Sequence, residues 1–142
     1  MAICLVTAQK TDPPGDRNRL LILDDEPSIT KVIEISARQL GFASVAIHDP
    51  GEFGRAVEAF KPTLIFLDIA MPKRDGVELI GDLSAWNYLG RVVIMSGYPL
   101  FLKMACALAE TRGLRLANPL AKPFSKQQIL DLLLDLAERS TD

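Results

Sequence analysis

The pattern of hydrophobic and polar positions divides the chain into short apolar runs and longer segments with a helical repeat. Uninterrupted apolar runs that end at Asp, Ser, Pro or Gly are typical of strands buried on both faces of a sheet. We predict such strands at residues 20–23, 44–47, 64–67, 91–95 and 114–120, with Pro119 interrupting the last.

Between the strands, apolar residues recur at spacings of three and four, which predicts helices. These helices are expected at residues 27–40, 50–60, 77–86, 99–112 and 126–138, the last with Ser125 as its N-cap. The residues predicted to face inward are Ile29, Val32, Ile33, Ser36, Ala37, Leu40, Phe53, Val57, Phe60, Val77, Ile80, Leu83, Trp86, Phe101, Met104, Ala105, Leu108, Ile129, Leu132, Leu133 and Leu136.

Alternation of strands and helices predicts a doubly wound α/β fold, with a parallel sheet covered by helices on both faces. In such sheets ligands bind beyond the carboxyl ends of the strands. Polar residues follow four of the predicted strands, and we expect them to meet at this edge. They are Asp24, Asp25, Asp68, Ser96 and Lys122.

The chemistry of these residues indicates a phosphoryl group. Clustered carboxylates repel one another unless a cation neutralises them, and oxygen ligands favour a hard divalent ion such as Mg²⁺ or Mn²⁺. Lys122 adds a positive charge for an anion, and Ser96 adds a hydroxyl donor. An aspartate nucleophile would complete such a site. His48, alone in a strand-to-helix turn, is interpreted as a surface residue.

Composition narrows the classes of function. The chain has 142 residues, 49% hydrophobic and 24% charged, as expected of one globular domain. Its net charge of -2 gives no indication of a nucleic-acid or membrane partner. Cys4 and Cys106 have no disulfide spacing, which favours a reducing cytoplasm. The turn-rich run 11–16 predicts that residues 1–18 form an N-terminal arm.

Several motifs together resemble the receiver domain of two-component response regulators. They are the Asp24-Asp25 pair, Asp68 in Asp-x-x-Met-Pro-x-x-Asp-Gly, Ser96-Gly97, and Lys122-Pro123-Phe124. The resemblance covers residues 19–139 and leaves 140–142 as a short tail. It implies a flavodoxin-like (βα)5 fold with a five-stranded sheet in the order 2-1-3-4-5.

The resemblance also implies roles for the site residues. Asp68 would accept a phosphoryl group from a sensor histidine kinase or a histidine phosphotransfer protein. Ser96 would hold a phosphoryl oxygen and Lys122 would pair with the phosphate. The Mg²⁺ ligands would be Asp24, Asp25, Asp68 and the backbone carbonyl of Ala70. The Lys122-Pro123 bond is expected to be cis.

Three positions bear on how such a domain would switch. Pro119 stands three residues before Lys122, where many receivers carry an aromatic switch residue. Tyr98, two residues after Ser96, either takes over part of that role or covers the rim of the site. Ala70 has no side chain to orient an attacking water, which predicts slow loss of the phosphoryl group.

Two other functions stay open from the sequence. An Mg²⁺-dependent phosphatase is disfavoured because Ala70 stands where such enzymes carry a second acid. A degenerate receiver would act as a scaffold without phosphorylation. We therefore expect a signalling domain, not an enzyme. No output domain is expected after residue 139, so the chain is interpreted either as a stand-alone receiver or as a fragment of a longer protein. The apolar fourth helix, with Leu100 and Met104, is expected to form a homodimer or effector surface with the fifth strand and fifth helix.

Overall fold

The computed structural model describes residues 18–71 and 76–140. Its strands are β1 (Arg19–Leu23), β2 (Ala43–Ile47), β3 (Leu64–Asp68), β4 (Arg91–Ser96), β5 (Arg115–Leu116) and β6 (Leu120–Ala121). Its helices are α1 (Pro27–Gln39), α2 (Phe53–Phe60), α3 (Gly76–Ala85), α4 (Pro99–Thr111) and α5 (Lys126–Ser140), and a 3-10 turn at Pro50–Glu52 precedes α2. Residues 1–17 of the predicted arm, residues 72–75 of the Asp68 motif and tail residues 141–142 lie outside the described residues.

The strands form one parallel sheet in the order β2-β1-β3-β4-β5, with β6 paired to the end of β4. Leu21 lies beside Val45 of β2 and Ile65 of β3, and Ile65 lies beside Val92 of β4. The predicted α/β class and strand order 2-1-3-4-5 are confirmed.

Side chains alternate between the two faces of the sheet, as the pleat requires. One face carries Leu21, Leu23, Ile65, Leu67, Val92 and Ile94, which pack with α2, α3 and α4. The opposite face carries Leu20, Ile22, Leu64, Phe66, Val93 and Met95, which pack with α1 and α5. Each fully buried aliphatic side chain contributes about 1.5–3 kcal/mol of transfer free energy. The continuous apolar runs are thus explained by helices on both faces.

The fifth strand, predicted at 114–120 with an interruption at Pro119, is shorter and more deeply divided than expected. It consists of two short segments, β5 and β6, separated by residues 117–119. The N–H of Ala117 still donates to the carbonyl of Val92, and that of Lys122 donates to the carbonyl of Ser96. Pro119 between them has no N–H to donate, so the ladder is broken at this point.

Three residues predicted to face inward are exposed instead. Met104 is 68% exposed, because α4 buries the face formed by Leu102, Ala105 and Ala109. Val32 lies at the flank of the α1 face that is centred on Ile33 and Ala37. Trp86 follows the end of α3 and is 46% exposed, although its ring packs beside Phe53. No helix within the described ranges is long and apolar enough to cross a membrane.

Candidate functional site

Polar side chains meet at the carboxyl edge of the sheet, as the topology predicts. Asp24 directly follows β1, Asp68 ends β3, Ser96 ends β4, and Lys122 directly follows β6. Asp24, Asp68 and Ser96 are almost completely buried. Since the strands are parallel and adjacent, residues 26 or more positions apart in sequence become neighbours here.

Three carboxylates are close enough to share one cation. An oxygen from each of Asp24, Asp25 and Asp68 lies within 4.8 Å of the other two, with Asp25 exposed and the others buried. Oxygens bound to one Mg²⁺ lie at most about 4.2 Å apart, because each Mg–O distance is about 2.1 Å. Separations within 4.8 Å are thus close to those of a bound ion's ligands, and the all-oxygen set suits a hard divalent ion.

The ammonium group of Lys122 contacts the carboxylates of the same cluster. Its Nζ lies 2.7 Å from Oδ2 of Asp24 and 3.4 Å from Oδ2 of Asp68. A third carboxylate, that of Glu26, lies 3.5 Å from Nζ and is largely exposed. This approach of Glu26 to Lys122 was not predicted from the sequence. The position of Glu26, two residues after Asp24, is the sequence feature that places it near this site.

Backbone N–H groups fix the remaining oxygens of the site. The N–H of Glu26 donates to Oδ1 of Asp24 at 2.9 Å, and the N–H of Ala70 donates to Oδ1 of Asp68 at 3.1 Å. The N–H of Tyr98 donates to Oγ of Ser96 at 3.0 Å. Each buried acceptor is therefore held in one orientation before any ligand binds.

Burial and charge together set the protonation of the cluster. Burial raises the pKa of Asp24 from 3.8 to about 6, although the hydrogen bonds from Lys122 and Glu26 oppose the rise; the charge of Asp68 adds to it. Burial alone would lower the pKa of Lys122, but its hydrogen bond to Asp24 and the charges of Asp24 and Asp68 raise it overall. One lysine thus leaves the carboxylates short of positive charge, which a bound divalent ion would supply.

The loop after β3 depends on a close approach of two backbones. The N–H of Gly76 donates to the carbonyl of Ile69 at 3.1 Å. A Cβ at Gly76 would overlap the backbone and side chain of Ile69. The glycine of the Asp68 motif therefore lets α3 begin directly beside the strand that carries Asp68.

The other predicted site residues have mixed outcomes. The Lys122-Pro123 bond is cis, as predicted. Tyr98 and Pro119 are both exposed, so neither side chain fills the cluster. The magnesium-ligand role of the Ala70 carbonyl stays a prediction. His48 is exposed as expected, and its ring nitrogen Nε2 lies 3.1 Å from Oγ1 of Thr30, a contact the sequence did not indicate.

Comparison with protein families and curated proteins gives consistent matches. The family described as the response regulator receiver domain matches residues 20–134. The alkaline phosphatase synthesis transcriptional regulatory protein PhoP of Bacillus subtilis is 26% identical over 113 residues, covering 78% of this chain and 45% of PhoP. BvgA of Bordetella pertussis is 34% identical over 83 residues, covering 58% of this chain and 40% of BvgA. The chain therefore spans less than half the length of these relatives.

Solved structures with the same architecture are also known. A response regulator from Colwellia psychrerythraea is 27% identical with a TM-score of 0.75, covering 86% of this chain and 98% of that one. The CheY-like response regulator receiver domain protein from Methanospirillum hungatei JF-1 has a TM-score of 0.74 at 18% identity, covering 87% of this chain and 96% of that one. At this lower identity the second match supports the fold alone.

Proposed function

Because the chain belongs to the response regulator receiver domain family, we propose that it accepts a phosphoryl group on the carboxylate of Asp68. The observation that carries this proposal is the convergence of three carboxylates within 4.8 Å, with the ammonium of Lys122 3.4 Å from Asp68. A site in which acidic side chains only bind a metal ion needs neither a lysine nor a serine. Their presence supports an anionic ligand at this place.

The proposed transfer begins at a phosphohistidine of a sensor histidine kinase or a histidine phosphotransfer protein. An oxygen of Asp68 attacks phosphorus; the new P–O bond forms as the P–N bond breaks, and the electron pair leaves with the imidazole nitrogen. The N–H of Ala70 restrains Oδ1 of the nucleophile during this step. Lys122, already beside Oδ2, stabilises the negative charge of the phosphoryl oxygens.

Asp24, Asp25, Asp68 and the backbone carbonyl of Ala70 would hold Mg²⁺ (or Mn²⁺). When bound, the ion neutralises charge on the phosphoryl group and on the buried carboxylates. The raised pKa of Asp24 supports this assignment, because burial makes its anion costly without an additional cation. Asp25, exposed beside the buried pair, is accessible to an incoming ion.

A conformational response is proposed to start at Ser96. Its Oγ accepts the N–H of Tyr98, so the hydroxyl proton is available to donate to a phosphoryl oxygen. Movement of Ser96 toward the phosphoryl group would pull on residues 97–99 and hence on the start of α4. The side chain of Tyr98 is exposed and free to change position. Pro119, with its ring-locked φ, cannot switch between rotamers as an aromatic residue would.

Two further parts of the proposal concern duration and output. Ala70 has no polar side chain to place an attacking water, so we expect slow self-dephosphorylation.

The homodimer or effector surface proposed on α4, β5 and α5 includes Leu100, which is 78% exposed. Transcriptional regulation is part of the description of PhoP, and this chain spans 45% of that protein.

The proposal is tested by incubation with acetyl phosphate and Mg²⁺, followed by intact-protein mass spectrometry. We expect one phosphoryl group on the wild type and none on Asp68→Asn. Asp131→Asn, which removes an exposed carboxylate from α5, is the matched control and should label like the wild type. Chelation of the divalent ion should abolish labelling of both the wild type and Asp131→Asn.

Each alternative function predicts a different result. A scaffold that is never phosphorylated leaves the wild type unlabelled. A phosphatase with an aspartate nucleophile releases phosphate from small phosphate esters with many turnovers, and this release is lost in Asp68→Asn. Labelling without turnover is the outcome that supports a receiver.

A further inference from the structure

A cavity of about 870 Å³ lies at the edge of the sheet opposite the carboxylates. Its lining includes the residues at which strands begin or which directly precede them, among them Asn18 before β1, Phe42 before β2, Thr63 before β3 and Gly90 before β4. Ligand pockets in proteins usually have volumes of about 300–1,000 Å³. The cavity therefore has the size of a small-molecule site.

All charged residues that line this cavity are positively charged. Lys61, Arg91 and Arg115 line it, and none of its described lining residues is acidic. Arg115 uses one guanidinium N–H to bind the carbonyl of Leu89 at 3.1 Å, which leaves the other N–H groups of the fork available. Burial raises the pKa of Tyr88, despite the opposing charge of Arg19, so the phenol adds no negative charge at neutral pH.

Apolar groups line the same cavity. Trp86 is 46% exposed and Leu89 is 77% exposed, and the cavity also reaches Phe42 and Leu136. Exposed apolar patches that are bordered by polar or charged residues often mark ligand-binding grooves. The combination favours a ligand that has an aromatic part and an anionic part.

The walls of the cavity are held in place by hydrogen bonds. The phenol of Tyr88 donates to the carbonyl of Pro62 at 2.9 Å, and the N–H of Arg91 donates to the carbonyl of Thr63 at 3.1 Å. Gly90 is packed so tightly that a Cβ there would overlap the Tyr88 phenol and the carbonyl of Thr63. A preformed cavity loses little conformational entropy when it binds a ligand.

We propose that this cavity binds a small organic anion, with an aromatic ring beside Trp86 and its charged group between Lys61 and Arg91. The site is separate from the Asp68 cluster and does not depend on phosphorylation. The ligand class follows from the aromatic wall, the cationic lining and the volume. Aromatic sulfonates, carboxylates and phosphates share this chemistry.

Trp86 provides a direct reporter, because it is the only tryptophan of the chain. The full chain is titrated with anilinonaphthalene sulfonate, and energy transfer from Trp86 to the bound probe is measured. N-phenylnaphthylamine has the same ring system without the sulfonate and serves as the neutral control. We expect saturable transfer with the sulfonate and at least tenfold weaker binding of the neutral compound.

Variants separate the cavity from general surface charge. Lys61→Gln combined with Arg91→Gln should weaken the sulfonate at least tenfold, because charged hydrogen bonds are lost. Lys31→Gln combined with Lys103→Gln removes the same charge from exposed helix positions outside the cavity and should leave binding unchanged. Asp68→Asn should also bind like the wild type, so failure of the proposed phosphorylation does not affect this test.

Three results would overturn the proposal. One is the absence of saturable energy transfer from Trp86. Another is equal binding of the sulfonate to the double cavity variant. The third is a Trp86 signal that depends on protein concentration instead of probe concentration, as expected if a second copy of the chain covers the cavity.

Discussion

At the scale of single residues, the site places the negative charges of buried carboxylates against the positive charge of one lysine. Lys122 contacts Asp24 and Asp68, whose side chains are almost inaccessible to solvent. The sequence predicted this meeting because each residue follows a strand of a parallel sheet. The position of Glu26 after β1 places it near this edge, but its approach to Lys122 was not predicted, because an exposed side chain has several rotamers that strand order does not restrict.

The first prediction concerns Lys122→Ala. We expect acetyl phosphate still to label Asp68 in the presence of Mg²⁺, because the nucleophile and the carboxylates remain. The response to labelling should be lost, since no cation links the phosphoryl group to β6. Amide chemical shifts of residues 97–105 measure the response. A shift pattern equal to that of the labelled wild type would contradict this role, and Lys103→Ala on the surface of α4 is the control.

The second prediction is a pH dependence caused by Asp24. Because its folded pKa is about 6 and its ordinary value is 3.8, the folded state retains a proton that the unfolded chain has lost between these values. The free energy of unfolding should therefore fall as pH rises from about 4 to about 6, by up to about 3 kcal/mol. The measurement is urea unfolding in EDTA across this pH range.

Asp24→Asn provides the control for this pH dependence. The amide does not titrate, so the variant should lose the decrease between about pH 4 and about pH 6. If the two proteins show the same pH dependence in this range, the buried Asp24 carboxyl is not its source.

At the scale of elements, the helices differ in how well the sequence predicted them. In α5 the predicted residues Ile129, Leu132, Leu133 and Leu136 are all buried, because polar residues clearly separate its two sides. In α4 the pattern was ambiguous, since apolar residues occur almost all round the helix. Met104 was placed inward for that reason and is exposed. Periodicity identifies a buried face only where a polar face opposes it.

The third prediction tests the start of α5. Oγ of Ser125 accepts the N–H of Gln128 at 3.1 Å, and Oε1 of Gln128 accepts the N–H of Ser125 at 2.8 Å. Loss of this reciprocal cap in Ser125→Ala should lower the free energy of unfolding by about 1 kcal/mol. Ser28→Ala, an exposed position in the first turn of α1, should change it by less than about 0.5 kcal/mol. Equal effects in urea unfolding would rule out the cap.

The fourth prediction uses two adjacent leucines of α5. Leu133 is fully buried and Leu134 is 49% exposed. Leu133→Ala should cost about 2–5 kcal/mol, because it removes buried contacts and leaves a cavity. Leu134→Ala should cost less than about 1 kcal/mol. Urea unfolding measures both, and a reversed order would show that α5 packs through a different face.

At the scale of the whole molecule, alternation of strands and helices was enough to predict the doubly wound α/β class, whereas the strand order 2-1-3-4-5 came from the resemblance to receiver domains. Parallel strands need crossover helices, and these bring the carboxyl ends of separate strands to one edge. The division of the fifth strand into β5 and β6 was less accessible, because it depends on which residues near Pro119 keep their ladder bonds. The cavity at the opposite edge was not predicted, since its residues come from turns, strand starts and two helices that share no sequence pattern.

The central claim is that Asp68 is the residue that carries the phosphoryl group. The fifth prediction tests it by labelling the protein with acetyl phosphate and Mg²⁺, reducing the acyl phosphate with borohydride, and sequencing the peptides by mass spectrometry. We expect homoserine at position 68 and unchanged aspartates at positions 24 and 25. Homoserine at another position, or no reduced residue in a labelled sample, would contradict the account.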